Sequence, residues 1–442
     1  MANGGGAFSS MNKILPGAYI NFVSVNTVGS ELSERGVATI AMEMDWGQSG
    51  MFAVTLPELK ANALKLFGYN YTDSELKPVR ELFRHAQKVW FYRLNTAGVK
   101  ASGVICSAKH PGTRGNQIAY SIAENENSTD SESLYDVTLY WGNEMLESYN
   151  AVSSVEELSA SSWVDWTPDA ALTVTAKTNL TGGTNGTTAS GAHAAYLAAS
   201  ENYSFNVMAC YSSDTTIIAL YVAFVRRMRE EVGKKFQVVI LNDATADYEG
   251  VISLKNAKSS AGTFTESNLN LIPWVTGLQA GTAVNKSCSN VKYDGEYVVN
   301  TGYTQTDLET AISEGSFCFH SVDGEVRVLS DINTLTTYTD QKNSDFKHNQ
   351  TIRVVDQIAN DIAALFASKY LGRVANDDIG RTALWADVVR HHEKLLAIRA
   401  IEGFSSSDIV VEEGETKTAV TITDVITPVN CIEQLYMTVY VA

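Results

Sequence analysis

The sequence FNVMACYSSDTTIIALYVAFVRRMREEVGKKFQVVIL, residues 205–241, carries the clearest pattern of secondary structure in the chain. It opens with a short apolar run, Phe205 to Cys210, and closes with a second one, Phe236 to Leu241. Between them, Thr216 to Val232 has the apolar spacing of an amphipathic helix, and Gly233 supplies its stop. A strand, a helix and a further strand in this order predict a mainly parallel sheet covered by helices.

The same alternation occurs nearer the start of the chain. Val37 to Met44 is typical of a buried strand, and residues 55–58, Thr-Leu-Pro-Glu, combine an N-cap hydroxyl, a first-turn proline and an early acid, which predicts a helix start. Val89 to Leu94 is short, aromatic and β-branched, which favours another strand. Residues 26–95 and 180–330 are therefore predicted to form one discontinuous α/β core.

Residues 96–179 differ in sequence pattern from the predicted core segments that flank them. Short alternating stretches such as Asp136 to Tyr140 are separated by Gly, Asn and Ser clusters. The acidic run from Glu124 to Asp136 lacks the regular acid spacing of a calcium loop, which favours a solvated surface. This part of the chain is predicted to be an inserted, outward-facing, β-rich domain.

Residues 331–442 have the pattern of an α+β domain. Ile352 to Tyr370 and Thr382 to Ile401 are predicted helices, and Asp408 to Glu412 can pair with Ala419 to Ile426 across a Glu-Gly-Glu turn. The apolar face of the first helix consists of Val355, Ile358, Ile362, Leu365 and Phe366. The overall prediction is a multidomain α/β protein.

Composition limits the possible functions of the 442 residues. A formal net charge of −17 disfavours nucleic-acid binding, which requires a clustered basic surface. The same charge keeps copies apart at low ionic strength, so salt is expected to promote any self-association. No segment has the length and apolar content of a membrane span, and the first residues lack a secretory pattern, which predicts synthesis in a cytoplasm.

The sequence does not combine its reactive residues into a recognisable catalytic or metal site. The five cysteines are widely spaced without a CxxC pair, so we expect buried free thiols. His391 and His392 are adjacent on a helix, point about 100° apart and cannot both bind one metal, so surface positions are expected for both. The glycine turn at residues 180–186 lacks the Lys-Ser/Thr of a phosphate loop. No catalytic, cofactor-binding or metal-ligating residue is predicted, although an α/β enzyme or ligand-binding protein using that turn stays an alternative.

Each end of the chain contains a tethered strand pattern. Ala18 to Val25 follows a polar, glycine-rich stretch, and Gln434 to Ala442 alternates apolar and polar residues. Such a strand can complete a sheet of its own chain or add to the exposed edge of a neighbour. Spacing alone leaves both interpretations open. It also does not fix which strand of the tail would be exchanged, although residues 434–441 are preferred over 408–426.

Several stretches taken in order resemble the sheath subunits of contractile bacteriophage tails and related phage-like bacteriocins. No single stretch is specific, but their order is, and it covers nearly the whole chain except the inserted domain. The stretches are LPGAYINF at 15–22, SERG at 33–36, MDWG at 44–47, VWFYRL at 89–94, LTGGTNG at 180–186, the 205–241 unit and YMTVYV at 436–441.

The resemblance implies a helical sheath of stacked hexameric rings around a tail tube, with a baseplate and a tail terminator as further partners. It implies a virion component assembled in the host cytoplasm, which contracts without nucleotide or metal. A tube or baseplate component is a further alternative. Residues 1–25 would form an N-terminal linking arm, with a hinge at Asn26, Thr27 and Gly29. The expected intersubunit contacts are Tyr19, Ile20, Asn21, Phe22, Val23, Leu435, Tyr436, Met437, Val439 and Val441.

Overall fold

A computed structural model describes residues 32–255 and 268–441 of the chain. The strands are β1 Val37–Met42, β2 Met51–Thr55, β3 Lys88–Arg93, β4 Asn95–Thr96, β5 Cys106–Ala108, β6 Ile118–Glu124, β7 Tyr135–Trp141, β8 Glu144–Val152, β9 Val164–Trp166, β10 Thr175–Asn179, β11 Thr187–Thr188, β12 Val207–Ala209, β13 Gln237–Leu241, β14 Val251–Leu254, β15 Ser316–Phe317, β16 Phe319–Val322, β17 Glu325–Val328, β18 Ile401–Glu402, β19 Ile409–Glu413, β20 Val420–Asp424 and β21 Thr427–Pro428. The α-helices are α1 Leu56–Phe67, α2 Lys77–Leu82, α3 Ala192–Ser200, α4 Thr215–Arg227, α5 Ile272–Gly281, α6 Gln305–Ser313, α7 Asn349–Leu365 and α8 Asp378–Ala397.

A seven-stranded sheet joins the two sequence halves that flank the insertion. Its order is β15-β14-β13-β12-β1-β3-β2, so strands from before and after the insertion meet where β1 pairs with β12. All neighbours run parallel except β2 and β3, which are antiparallel. The mixed, multidomain α/β architecture predicted from the sequence is confirmed.

Helices cover both faces of this sheet because its strands alternate between two apolar cores. In β1, Ala38 and Ile40 face the core that contains Trp274 of α5, whereas Ala41 faces the core that contains Tyr221 of α4. The same period of two holds in β13, where Val239 and Leu241 join the first core and Val238 and Ile240 the second. Such apolar runs, buried on both faces, are typical of parallel sheets.

A separate antiparallel sheet, in the order β10-β6-β7-β8, lies within residues 118–179. Its inner face packs into a third core, with Trp46 in edge-on contact with Trp141 at a ring separation of 5.7 Å. The acids Glu124, Glu126, Asp130 and Glu132 are exposed in and beside the β6–β7 connection. The solvated surface predicted for the acidic run is confirmed for these residues.

The buried face of α7 differs from the sequence prediction. Phe366, just beyond the helix, is 39% exposed, and Ile358 and Ile362 are only half-buried. The fully buried face is instead largely polar and lies against the α/β core; its members include Gln350, Arg353, Asp356, Gln357 and Asp361. Hydrogen bonds and ion pairs to other elements satisfy these side chains, as burial of polar groups requires. In the described part of the chain, no helix is long and apolar enough to cross a membrane.

Candidate assembly site

The hairpin β19–β20 is a two-stranded sheet with open edges. Ile409 pairs with Asp424 at one end and Glu413 with Val420 at the other, and neither strand has a second partner strand among the described residues. Ile409 and the inward side of the hairpin pack against α8, with Leu384 in the same core. A hairpin held on one face by a helix still presents unpaired backbone groups at its edges, which can accept a further strand.

Residues 434–441, called here the C-terminal segment, extend from the molecule without a partner strand in the described chain. Its large apolar side chains are between 69% and 94% exposed; they are Leu435, Tyr436, Met437, Val439, Tyr440 and Val441. Apolar residues so exposed and so closely spaced mark a surface that another molecule covers.

The residues just before the C-terminal segment are held firmly on α7. The buried Gln350 donates from Nε2 to the Val429 carbonyl at 2.8 Å and accepts from the Cys431 N–H at 3.1 Å. Glu433 accepts from the hydroxyls of Ser289 at 2.5 Å and Ser330 at 3.2 Å. The described bonds to the body therefore end at Glu433, where the exposed segment begins.

The same helix holds the first described residues of the chain. Gln357 donates from Nε2 to both the carbonyl, at 3.1 Å, and the hydroxyl, at 2.6 Å, of Ser33. Asp361 accepts from the Ser33 N–H at 3.3 Å. Because Gln350 and Gln357 are seven residues apart, the two attachment points lie about 10 Å apart along one helix. Helix α7 therefore contacts both the first described residues and the residues just before the C-terminal segment.

The glycine turn at residues 180–186 closes the base of the inserted sheet. Asn185 donates to Asp45 at 2.6 Å, and its Oδ1 accepts from the Thr113 N–H at 2.8 Å. The Gly183 N–H donates to Asn116 at 2.9 Å. At Gly186, with φ of +72°, a Cβ atom would lie 2.0 Å from the Thr96 carbonyl, so the close approach requires glycine. These groups of the turn are engaged by the protein itself and do not form a phosphate cradle.

Comparison with known proteins decides the family. Four family models match successive parts of the chain: the N-terminal region of domain III of the tail sheath protein Gp18 over 35–94, the phage tail sheath β-sandwich domain over 95–185, the central domain over 186–334 and the C-terminal domain over 341–442. The chain is also 30% identical to the phage-like element PBSX protein XkdK of Bacillus subtilis strain 168, over 99% of this chain and 100% of that protein. The chain belongs to the phage tail sheath protein family.

Solved structures agree with this assignment. The sheath tail protein from Desulfitobacterium hafniense has a TM-score of 0.79 and 34% identity to this sheath protein, over 94% of this chain and 98% of that chain. The helical sheath of the anti-feeding prophage in its contracted state has a TM-score of 0.57 at 12% identity, over 97% and 99% of the two chains. The second likeness concerns the fold alone. The sheath protein is thus a structural subunit of a tail sheath, as the resemblance implied.

Only some of the residues expected at intersubunit contacts lie within the described part of the chain. Of the ten expected contacts, the five C-terminal ones are described and project from the surface. The N-terminal five, Tyr19 to Val23, and the hinge residues Asn26, Thr27 and Gly29 lie outside the described residues. Their roles in the sheath stay predictions.

Both histidines expected at the surface are buried, so that prediction was wrong. His391 Nε2 lies 3.0 Å from Asp361 on α7, and His392 Nε2 lies 3.0 Å from Asp424 on β20, without the alignment of a hydrogen bond. Helix α8 is packed on two sides, so adjacent residues about 100° apart face two different elements. Burial alone would raise the pKa of Asp361, but hydrogen bonds from His391, Ser33 and Gln357 hold it below its usual range.

Sequence reasoning missed the residues of α7 that hold the two ends. Gln350, Gln357 and Asp361 recur at spacings of seven and four, which places them on one face of a helix. The apolar stripe beside them on the same helix gave the stronger signal for the buried face. A polar stripe on a helix is ordinarily assigned to the solvent-exposed face. The recurrence of amide and acid groups on one face was the signal that could have identified them.

Four of the five cysteines are buried and Cys431 is exposed. Burial raises the pKa of Cys106, Cys210 and Cys288 to about 12 and that of Cys318 to about 11. Because the thiolate is the reactive form, we predict that iodoacetamide at neutral pH adds to Cys431 alone in the folded protein. Intact-mass spectrometry should show one adduct, five after denaturation and none in folded Cys431→Ser; a second rapid adduct on the folded chain would contradict the prediction.

Proposed function

We propose that this sheath subunit polymerises through its two ends, as a helical tube of stacked hexameric rings around a tail tube. In this proposal the C-terminal segment adds as a strand to the open hairpin β19–β20 of a neighbouring copy, and residues 1–25 link to another copy. The observation that supports it is the combination, on one chain, of an exposed alternating segment and a hairpin with open edges. The contacts would be those predicted at 19–23, 435–437, 439 and 441.

A single added strand would bind weakly. Eight residues gain about 1 kcal/mol net for each ladder hydrogen bond and about 2 kcal/mol for each large side chain that becomes buried. Ordering the backbone costs about 1–2 kcal/mol per residue. These contributions nearly cancel, so a closed lattice that engages both ends of every copy gains through effective concentration. Tubes should therefore form cooperatively from soluble subunits.

Contraction follows in the same proposal from rigid cores that slide into a better-packed arrangement while the arms stay connected. Asn26, Thr27 and Gly29 would absorb the change as a hinge, and contraction would drive the tube through the target envelope.

The domains would be the arm 1–25, the core 26–95 with 180–330, the outward-facing insertion 96–179 and the C-terminal domain 331–442. The tail tube, baseplate and terminator would be the partners, and assembly would occur in the host cytoplasm. The role would be mechanical and not catalytic.

The test is assembly of the purified protein. We expect tubes or rings by electron microscopy, more of them as salt screens the net charge of −17. A variant that lacks residues 1–25 should keep the melting temperature of the full chain and form no tubes. Protein that stays monomeric at every salt and protein concentration would contradict polymerisation. A truncated variant that unfolds would show that these residues belong to their own core.

A further inference from the structure

A small polar cavity lies between α7 and residues 33–35, where the chain approaches β1. Its volume is about 20 Å³. A volume of this size holds one water molecule or one small ion. Its wall includes Arg35, Lys235, Arg353, Asp356, Asn206 and Gln357.

The charges around this cavity do not balance. Arg353 forms an ion pair with Asp331 at 2.6 Å. Asp356 forms an ion pair with Arg229, which donates to both carboxylate oxygens at 2.6 and 2.7 Å. Among the described residues, Arg35 donates to the carbonyls of Thr282 and Gln279, at 3.0 and 3.1 Å.

Lys235, the other cation on the wall, donates to the carbonyl of Arg229. Arg35 and Lys235 thus have no carboxylate partner within the described ranges, so two cations on the wall are without an ion pair. Asp361, the next acid along α7, is engaged by Ser33, Gln357 and His391.

Two further observations indicate that the cavity favours negative charge. The Nε of Arg353, a side chain 1% exposed, has no hydrogen-bond partner among the described residues. Burial, followed by repulsion from Arg353, lowers the pKa of Arg35 to about 10. Burial and repulsion from Arg229 lower the pKa of Lys235 in the same direction. Arg353 is buried, whereas Arg35 and Lys235 are half-buried. Positive charges held close together in a partly desolvated site repel one another, and a counter-ion lowers that cost.

We propose that this cavity is a binding site for one small monovalent anion of the halide class, held between Arg35, Lys235 and Arg353. The bound ion would connect α7, the start of β1 and the start of β13, next to the first described residues of the chain. The small volume favours a compact ion, so larger organic anions should bind less well. The proposal concerns the single subunit and does not depend on polymerisation.

The test compares sodium chloride with sodium gluconate at equal ionic strength, so that general screening of the net charge is the same. For the unassembled full chain, 0.15 M chloride is expected to raise the melting temperature by about 1–3 °C over gluconate. Arg35→Met and Lys235→Met should each remove this difference. Arg84→Met is the matched control, because it deletes one exposed cation away from the cavity, and it should keep the difference.

A second measurement locates the ion. Crystals grown in bromide should give an anomalous peak within hydrogen-bond distance of Arg35 and Arg353. Equal melting temperatures in chloride and gluconate, together with no bromide peak, would mean an ordered water only and would overturn the proposal. An anion effect that persists unchanged in Arg35→Met and Lys235→Met would likewise refute it, because the ion would then act elsewhere.

Discussion

Removal of residues 434–442 is expected to abolish tube formation while leaving a folded subunit. The described bonds to the body end at Glu433, and the apolar side chains beyond it are 69–94% exposed, so the body loses almost no packing. The melting temperature should change by less than about 1 °C, because surface positions contribute within about 0.5 kcal/mol. Circular dichroism would follow the fold, and electron microscopy with sedimentation would follow assembly.

A matched pair of full-length variants distinguishes strand addition from non-specific hydrophobic association of the segment. In an added strand alternate residues share a face, so Leu435, Met437 and Val439 lie on one side and Tyr436 and Tyr440 on the other. One variant replaces Leu435, Met437 and Val439 by serine, and the other replaces Tyr436 and Tyr440 by serine. The two variants therefore lose apolar surface from opposite faces of the strand. Strand addition predicts that one variant blocks assembly far more strongly than the other. Normal tubes from the truncated protein would show that the segment is not the connection.

Replacement of Arg353 by Met is expected to destabilise the subunit by about 3–5 kcal/mol, because it leaves Asp331 buried without its counter-charge. Both side chains are 1% exposed, and the guanidinium also donates to Gln279 at 2.7 Å and to the Lys286 carbonyl at 2.6 Å. Urea unfolding would measure the loss as a shift in midpoint. Arg327, which is 28% exposed and pairs with Glu325, is replaced by Met as the control and should cost less than about 1 kcal/mol.

The ion pair of Arg353 and Asp331 also predicts that the free energy of unfolding depends on pH. Burial alone would raise the pKa of Asp331, but Arg353 and the hydrogen bonds from Gln279 and Cys288 hold it below its usual value. A depressed pKa in the folded state contributes stability above the ordinary aspartate pKa of about 3.9, and that stability is lost as pH falls through the folded value. Unfolding free energy should therefore fall in acid more steeply for the native protein than for Arg353→Met. Parallel pH profiles would contradict this coupling.

The parallel core was predictable because its strands have a simple sequence signal. Phe205 to Leu241 combines two short apolar runs with an intervening helix pattern, and both runs become strands of the same sheet. The hairpin β19–β20 was predictable for the same reason, since two alternating runs flank a glycine turn. Local patterns suffice where the partner of a strand is close in the sequence or where both faces are apolar.

Helix α7 was less predictable because the face that it packs against the α/β core is largely polar. Periodicity identified α7 as a helix but assigned its buried face to the apolar side, whereas Arg353 and its polar neighbours face the core. His391 and His392 likewise appeared to be surface residues until two carboxylates from distant elements were placed beside them. Pairing of buried polar groups depends on tertiary contacts more than 20 residues apart, which a single sequence does not reveal.

The central claim is that the C-terminal segment pairs with the hairpin of a different copy. A photo-crosslinking amino acid at position 437, in tubes grown from an equal mixture of ¹⁴N- and ¹⁵N-labelled subunits, tests it directly. Pairing with a different copy should give crosslinks to peptides within residues 405–428, with pairs of mixed isotope as frequent as pairs of the same isotope. Crosslinks that join only peptides of the same isotope, or that fall outside the hairpin, would contradict it.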